Sequence, residues 1–233
     1  MLKLFPKALI ILLLLVFALL PSNAVLAETF KDNLGWAVHG SIFYFAANNG
    51  VDSDPAPIIP SAGFSLAWQL IDYLKLEFTQ DIYFTNYEWE SNLGYPMACN
   101  IENRAAFVLG FLTGVQATGY FPLDKISLRV YGGPAVDFRV VTTAFGLNHP
   151  ADYIGDIETN VELQTEAIKN YFWQSGRWFM PVAGLGFDFP INEKFLLGFD
   201  LRAWFPVYKI WTDDNAPAID GWRFGAGFRI AKR

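Results

Sequence analysis

The sequence predicts an all-β protein, an eight-stranded antiparallel up-and-down transmembrane β-barrel, and three observations predict it. The first is the segment Phe195 to Val207. Phe195, Leu197, Phe199, Leu201, Ala203, Phe205 and Val207 share one face of a strand, and Leu196, Gly198, Asp200, Arg202 and Trp204 share the other. A strand that is apolar on one side and polar on the other is the repeating unit of a barrel that faces lipid. The second is composition: 53% of the chain is hydrophobic and 17% aromatic. Yet beyond residue 27 no apolar run approaches the roughly 18 residues a membrane helix needs, so the apolar content falls to strands. The third is rhythm, because short and long connections alternate along the chain.

The elements follow in order. Lys3 and Lys7 precede an apolar run from Ala8 to Leu20, then Pro21 and the small-residue site Val25-Leu26-Ala27. This reads as a signal peptide over 1–27, too short for a membrane anchor, with the barrel domain over 28–233. Removing Lys3 and Lys7 takes the formal net charge from -6 to -8, which argues against a nucleic-acid partner. Cys99 is the only cysteine and falls in a predicted loop, so no intramolecular disulfide forms.

Eight strands are expected near 33–46, 61–71, 74–88, 104–121, 125–144, 177–189, 195–210 and 221–231. Tight turns fall at Asp72-Tyr73, at Pro122 to Asp124 and at Pro190 to Lys194; longer loops fall at 48–60, 89–103, 145–176 and 211–220. Short turns on one side and long loops on the other match bacterial outer-membrane barrels, with the turns periplasmic and the loops outside. An even strand count then puts both termini in the periplasm.

Strand four is expected to turn Ala105, Phe107, Leu109, Phe111, Val115, Ala117 and Phe121 to lipid, and strand five Ile126, Leu128, Val130, Val136, Phe138 and Val140. Strand eight turns Trp222, Phe224, Ala226, Phe228 and Ile230 outward. A one-residue slip would place the intervening Arg side chains in lipid, at about 2–4 kcal/mol each near the midplane. That cost sets the register. Trp36, Tyr44, Tyr73, Tyr120, Trp178, Trp211 and Trp222 sit near strand ends, where aromatic girdles belong.

The inward positions divide into two groups. Lys75, Glu77, Asp81, Arg129, Asp137, Arg139, Asp188, Asp200, Arg202, Arg223 and Arg229 interleave both signs in the periplasmic half and middle and are expected to form a salt-bridge plug across the lumen. Phe43, Phe45, Tyr83, Trp178, Met180, Trp204 and Tyr208 point inward near the outer end. They predict either a mouth that binds a small hydrophobic molecule or rings packed to fill the space.

In the third outer loop, Ile154, Ile157, Val161, Ile168 and Phe172 approach helical spacing, with Asp156, Glu158, Glu162 and Glu166 between them. A short helix lying over the mouth is expected. Asp52, Asp54, Asp213, Asp214 and Asp220 cluster in two other loops but match no calcium-loop spacing, and no metal is expected. No cofactor motif is present.

Signal peptide, eight strands, three tight turns and four longer loops together resemble the small outer-membrane barrels of the OmpA, OmpX and OmpW group. The resemblance spans 28–233 and is architectural. The ending departs from the group's usual terminal aromatic residue, since Ile230 is followed by Ala231, Lys232 and Arg233. That ending resembles barrels of lineages with a looser terminal signal, such as spirochaetes. The resemblance implies outer-membrane lipids as partners and two alternative roles. One is passage of small hydrophobic molecules, as in OmpW-like barrels. The other is a structural or adhesive barrel with a closed, salt-bridged lumen and a surface partner at its outer loops.

A third role, lipid A acyl hydrolase or transferase, rests on His39-Gly40-Ser41, whose spacing matches the His and Ser of the deacylase type. The pair lies in the first strand, no third carboxylate can be assigned from sequence, and His149 is distant. No enzyme activity is expected.

Overall fold

The computed structural model describes residues 34–46, 58–90, 94–99, 101, 104–143, 160–210 and 221–232. Residues 1–27, expected to be a signal peptide, the acidic loop residues Asp52, Asp54, Asp213, Asp214 and Asp220, His149, Ile154, Ile157 and Trp211 lie outside the described residues.

Ten strands build one closed antiparallel sheet. They are β1 Leu34–Ala46, β2 Ile58–Ile71, β3 Leu74–Glu90, β4 Tyr95–Cys99, β5 Ala106–Leu123, β6 Ile126–Gly133, β7 Ala135–Thr143, β8 Val182–Pro190, β9 Phe195–Trp204 and β10 Trp222–Lys232. Around the ring β1, β2, β3, β5, then β6 with β7, β8, β9 and β10 follow one another, β4 folds back on β3, and β10 closes on β1 from Ala37↔Ala231 to Ala46↔Trp222. Closure removes both sheet edges, which is what allows strands to cross lipid with every backbone group satisfied.

Two strands are one barrel stave. β6 and β7 both pair with β5, meeting Phe121↔Leu128 below and Phe111↔Phe138 above, and Pro134 separates them. Proline lacks the N–H that a ladder needs, so the stave breaks there without changing which residues face inward. At Gly133 a Cβ would lie 2.1 Å from the Val115 carbonyl oxygen, so the backbones close in where the stave bends. Eight staves therefore stand where eight strands were expected.

The faces keep the expected phase. Ile42, Phe64, Phe78, Phe84, Phe107, Phe138, Leu201, Phe224 and Phe228 are all more than a third exposed on the outer wall. Their inward neighbours are buried. Among the described residues no helix is long and apolar enough to cross a membrane; the apolar belt belongs to the strands.

Four expectations change at the loop end. The stretch expected as the second loop instead extends β3 and returns as β4, pairing Asn86↔Cys99 to Glu90↔Tyr95, so Cys99 is buried in a strand. The seventh strand ends at Trp204, and Val207–Ile210 forms a 3-10 turn. The sixth begins at Val182, after a 3-10 turn at Gln174–Gly176, so Trp178 and Met180 precede it. Ala105, expected to face lipid, is buried beneath a helix.

That helix, α1 Val161–Trp173, occupies the C-terminal part of the segment expected to be helical. Asn160 caps it, its Oδ1 accepting from the Glu162 and Leu163 amides at 3.0 and 3.1 Å. Ile168 and Phe172 pack on Tyr87, Ala105, Ala106 and Val108, and Thr165 donates to the Ala105 carbonyl at 3.2 Å. The apolar spacing expected of a lid thus becomes a small second core at the loop end.

Candidate functional site

The lumen holds five guanidiniums and five carboxylates, all buried: Arg129, Arg139, Arg202, Arg223 and Arg229 with Glu77, Asp81, Asp137, Asp188 and Asp200. They come from β3, β6, β7, β8, β9 and β10, and all the pairs but Arg139 with Asp137, which share β7, tie different staves together. A buried charge is tolerated only beside its opposite, and the groups arrange in three tiers.

The tier nearest the short turns centres on Arg129. Its Nη2 donates to Asp200 Oδ1 at 2.9 Å, and its Nε lies 2.8 Å from Asp188 Oδ2. Neither oxygen of Asp188 makes a hydrogen bond with good geometry, so charge rather than directed bonding holds that carboxylate. Arg229 stands 3.7 Å from both Glu77 and Asp188. Tyr120 donates to Glu77 at 2.8 Å and Tyr131 to Asp200 at 3.0 Å, while the Lys75 ammonium lies 4.3 Å from the Tyr120 ring centre. Tyr120 therefore serves the interior rather than a lipid-facing girdle. Gly186 makes room: a Cβ there would fall 2.6 Å from Arg129 Nη2 and 2.7 Å from Asp200 Oδ1.

In the middle tier Asp81 takes Arg202 Nη1 at 2.7 Å on one oxygen and His39 Nε2 at 2.8 Å on the other. Arg202 Nη2 also donates to Ser41 Oγ at 2.8 Å. The carboxylate that sequence could not assign to His39 is thus Asp81. Yet the histidine nitrogen bonds the carboxylate and the serine oxygen bonds a guanidinium, so no base is engaged with the hydroxyl.

The upper tier departs from expectation. Asp137, Arg139 and Arg223 were expected in the charged floor but stand at the aromatic level, because the inward alternation of β7 and β10 carries charge up the wall. Arg223 Nη1 meets Asp137 Oδ2 at 2.6 Å, Arg139 Nε bonds the same oxygen, and the Tyr83 hydroxyl donates to the carboxylate at 2.9 and 3.0 Å.

Around this tier the expected mouth residues meet one another. Phe43, Phe45, Tyr83, Met180 and Trp204 belong to one buried cluster with Ile59, Leu112, Ala135 and Val182. Phe43 stands edge-on to Trp204 at 5.0 Å and to Tyr83 at 6.0 Å, and Phe45 to Tyr83 at 5.5 Å. Gly110 leaves the socket for Tyr83, whose ring would lie 2.0 Å from a Cβ there. These rings pack on one another across the lumen, and Phe45, Met180 and Tyr208 also border a small space above them. Trp178 is only half-buried, edge-on to Phe179, and stands outside the cluster. Tyr208 lies higher, with its ring 5.0 Å from the Arg177 guanidinium.

Three concavities stand out among the described residues. A cavity of about 20 Å³ among His39, Glu77, Gln116, Arg129 and Arg202 has room for one water. Above the rings, about 70 Å³ opens between Phe45, Tyr87, Tyr95, Arg139, Phe172, Arg177, Met180, Tyr208 and Arg223. The largest, about 730 Å³, is a groove on the outer wall bounded by Ile42, Tyr44, Leu185, Ala203, Phe205 and Phe224. Sequence reasoning missed Arg177, which sits in a turn where no strand register reaches.

No protein-family model matches the chain, and no curated protein is similar to it in sequence. In fold it is similar to small eight-stranded outer-membrane barrels. One is Neisserial surface protein A, with TM-score 0.49 and 9% identity over 86% of this chain and 96% of that one. Another is the N-terminal barrel domain of Pseudomonas aeruginosa OprF, with TM-score 0.39 and 12% identity over 84% and 96%. A third is Ail, the attachment invasion locus protein of Yersinia pestis, solved with the heparin analogue sucrose octasulfate, with TM-score 0.42 and 10% identity over 85% and 96%. None of these likenesses extends to what this chain binds. None is spirochaetal, and that lineage gains no support.

Proposed function

We propose that this chain is a non-enzymatic surface barrel of the outer membrane, with a sealed lumen and its working surface at the loop end. One observation carries the reading. Five guanidiniums and five carboxylates interlock across the interior, and packed rings lie above the lower pairs. A conducting path would need an open bore or a ring of one sign, and here both signs interleave across the interior. The loop end, built by β4, α1 and the tops of β3, β5 and β7, would face outward with both termini in the periplasm. The apolar belt and the outer-wall groove would meet outer-membrane lipid. The signal peptide over 1–27 would route the chain there, and N-terminal sequencing of the exported protein should begin at Glu28.

Passage of small hydrophobic molecules is the weaker reading, because the rings named for it touch one another. Catalysis by His39 and Ser41 is weaker again, since each is committed to a different partner. The deciding experiment is conductance across planar bilayers containing the purified chain. A sealed lumen gives no channel events in the wild type. Steady or stepwise conductance in the wild type would overturn the proposal. Uptake of a hydrophobic probe into vesicles, abolished by Trp204→Arg, would instead restore the passage reading.

A further inference from the structure

The 70 Å³ cavity above the rings is walled by three arginines, Arg139, Arg177 and Arg223, and by aromatic faces. Each guanidinium lies over a ring: Arg139 over Phe172 at 4.0 Å, Arg223 over Phe45 at 4.4 Å and Arg177 over Tyr171 at 4.0 Å. Stacking fixes the plane of a guanidinium without using its N–H groups, which remain available to acceptors in that plane. For Arg139 the bond to Asp137 uses only Nε, and for Arg223 the bonds to Asp137 and Tyr83 use only Nη1. Their remaining donors meet no protein acceptor among the described residues.

Charge points the same way. The lowest tier balances once Lys75 joins Arg129 and Arg229 against Glu77, Asp188 and Asp200, and Arg202 balances Asp81. In the upper tier one carboxylate, Asp137, serves two guanidiniums. Among the described residues the tier therefore keeps one positive charge of Arg139 and Arg223 without a second carboxylate beside the cavity. A buried excess charge with in-plane donors, next to a space several times larger than one water needs, suits a single oxyanion.

We propose that this cavity binds one tetrahedral oxyanion, a phosphate or sulfate group, between Arg139 and Arg223. The site goes beyond the sealed-barrel reading. A barrel that neither conducts nor binds phosphate would overturn this proposal and leave that reading intact.

The test uses the full chain in non-ionic detergent and low-chloride buffer, titrated calorimetrically with inorganic phosphate. Saturable one-to-one binding is expected. Arg139→Gln and Arg223→Gln should each weaken it by about 10-fold or more, the loss of one charge-assisted contact. Asp137→Asn should strengthen it by about 10-fold, because both guanidiniums lose their competing carboxylate. Only a ligand that replaces Asp137 predicts that gain, and heat-modifiable gel mobility checks that each variant is folded. A second arm places the chain in phosphatidylcholine nanodiscs with and without phosphatidic acid. Loss of inorganic phosphate binding when phosphatidic acid is present assigns the site to a lipid headgroup, and unchanged binding assigns it to a free oxyanion. No saturable phosphate binding in either the wild type or Asp137→Asn would overturn the proposal, as would binding that Arg139→Gln and Arg223→Gln leave untouched.

Discussion

The two ends of the lumen use the same inward positions for different purposes. Near the short turns, each guanidinium faces carboxylates of other staves, and the space left holds about one water. Near the loops, guanidiniums stand over ring faces beside a cavity of about 70 Å³. The lower tier is thus balanced in charge by its own chain, and among the described residues the upper one is not. Alternation alone cannot create that contrast, because it assigns a side of the wall and not a partner.

Arg129→Ala attacks the contrast where it is strongest. It strands Asp188 and Asp200 together, and removing one partner of a buried pair costs about 3–5 kcal/mol. Urea unfolding in lipid vesicles, followed by tryptophan fluorescence, should show a lowered midpoint, and an unchanged midpoint would mean that the lower tier is not structural. Trp204→Ala should cost about 3 kcal/mol through the void it leaves beside Phe43 in the ring layer. The same denaturation measures it, and a loss under about 1 kcal/mol would indicate that the rings do not pack as one body.

Ile168→Ala should cost about 2–3 kcal/mol, felt mainly in α1. Hydrogen exchange should report faster opening over 161–173 with the amides of β9 and β10 unchanged. Equal loss in both regions would show that the loop end and the floor unfold together. The smallest effect is expected at the helix cap. Asn160→Ala removes an acceptor from two amides and should cost about 1 kcal/mol, visible as fraying of the first helical turn in the same exchange experiment.

How much of this was legible in the sequence depends on what a two-residue period encodes. It placed every charged lumen residue on the correct side of the wall, because a slip exposes arginine to lipid. It did not place Asp137, Arg139 and Arg223 at their correct height, since tilted staves bring distant residues level. Arg139 pairs with Gly110 and thereby joins Tyr83, while Arg223 pairs with both Phe45 and Trp204. β4 was invisible for another reason: Tyr95, Pro96, Met97 and Cys99 are all buried, which leaves no alternation to read. Arg177 and Trp178 lie between a 3-10 turn and the start of β8 at Val182, where strand alternation does not yet apply.

The distribution of interior charge along the chain bears on how the barrel is finished. β10 alone contributes Arg223 and Arg229, which reach Asp137, Glu77 and Asp188 on three earlier staves. Without β10, five interior carboxylates would face three arginines and Lys75, one positive charge short of balance. The final strand supplies two guanidiniums to three other staves while its backbone pairs with β1. The closing seam is therefore the place where the hydrogen-bond ladder and the interior charge pairing are completed together.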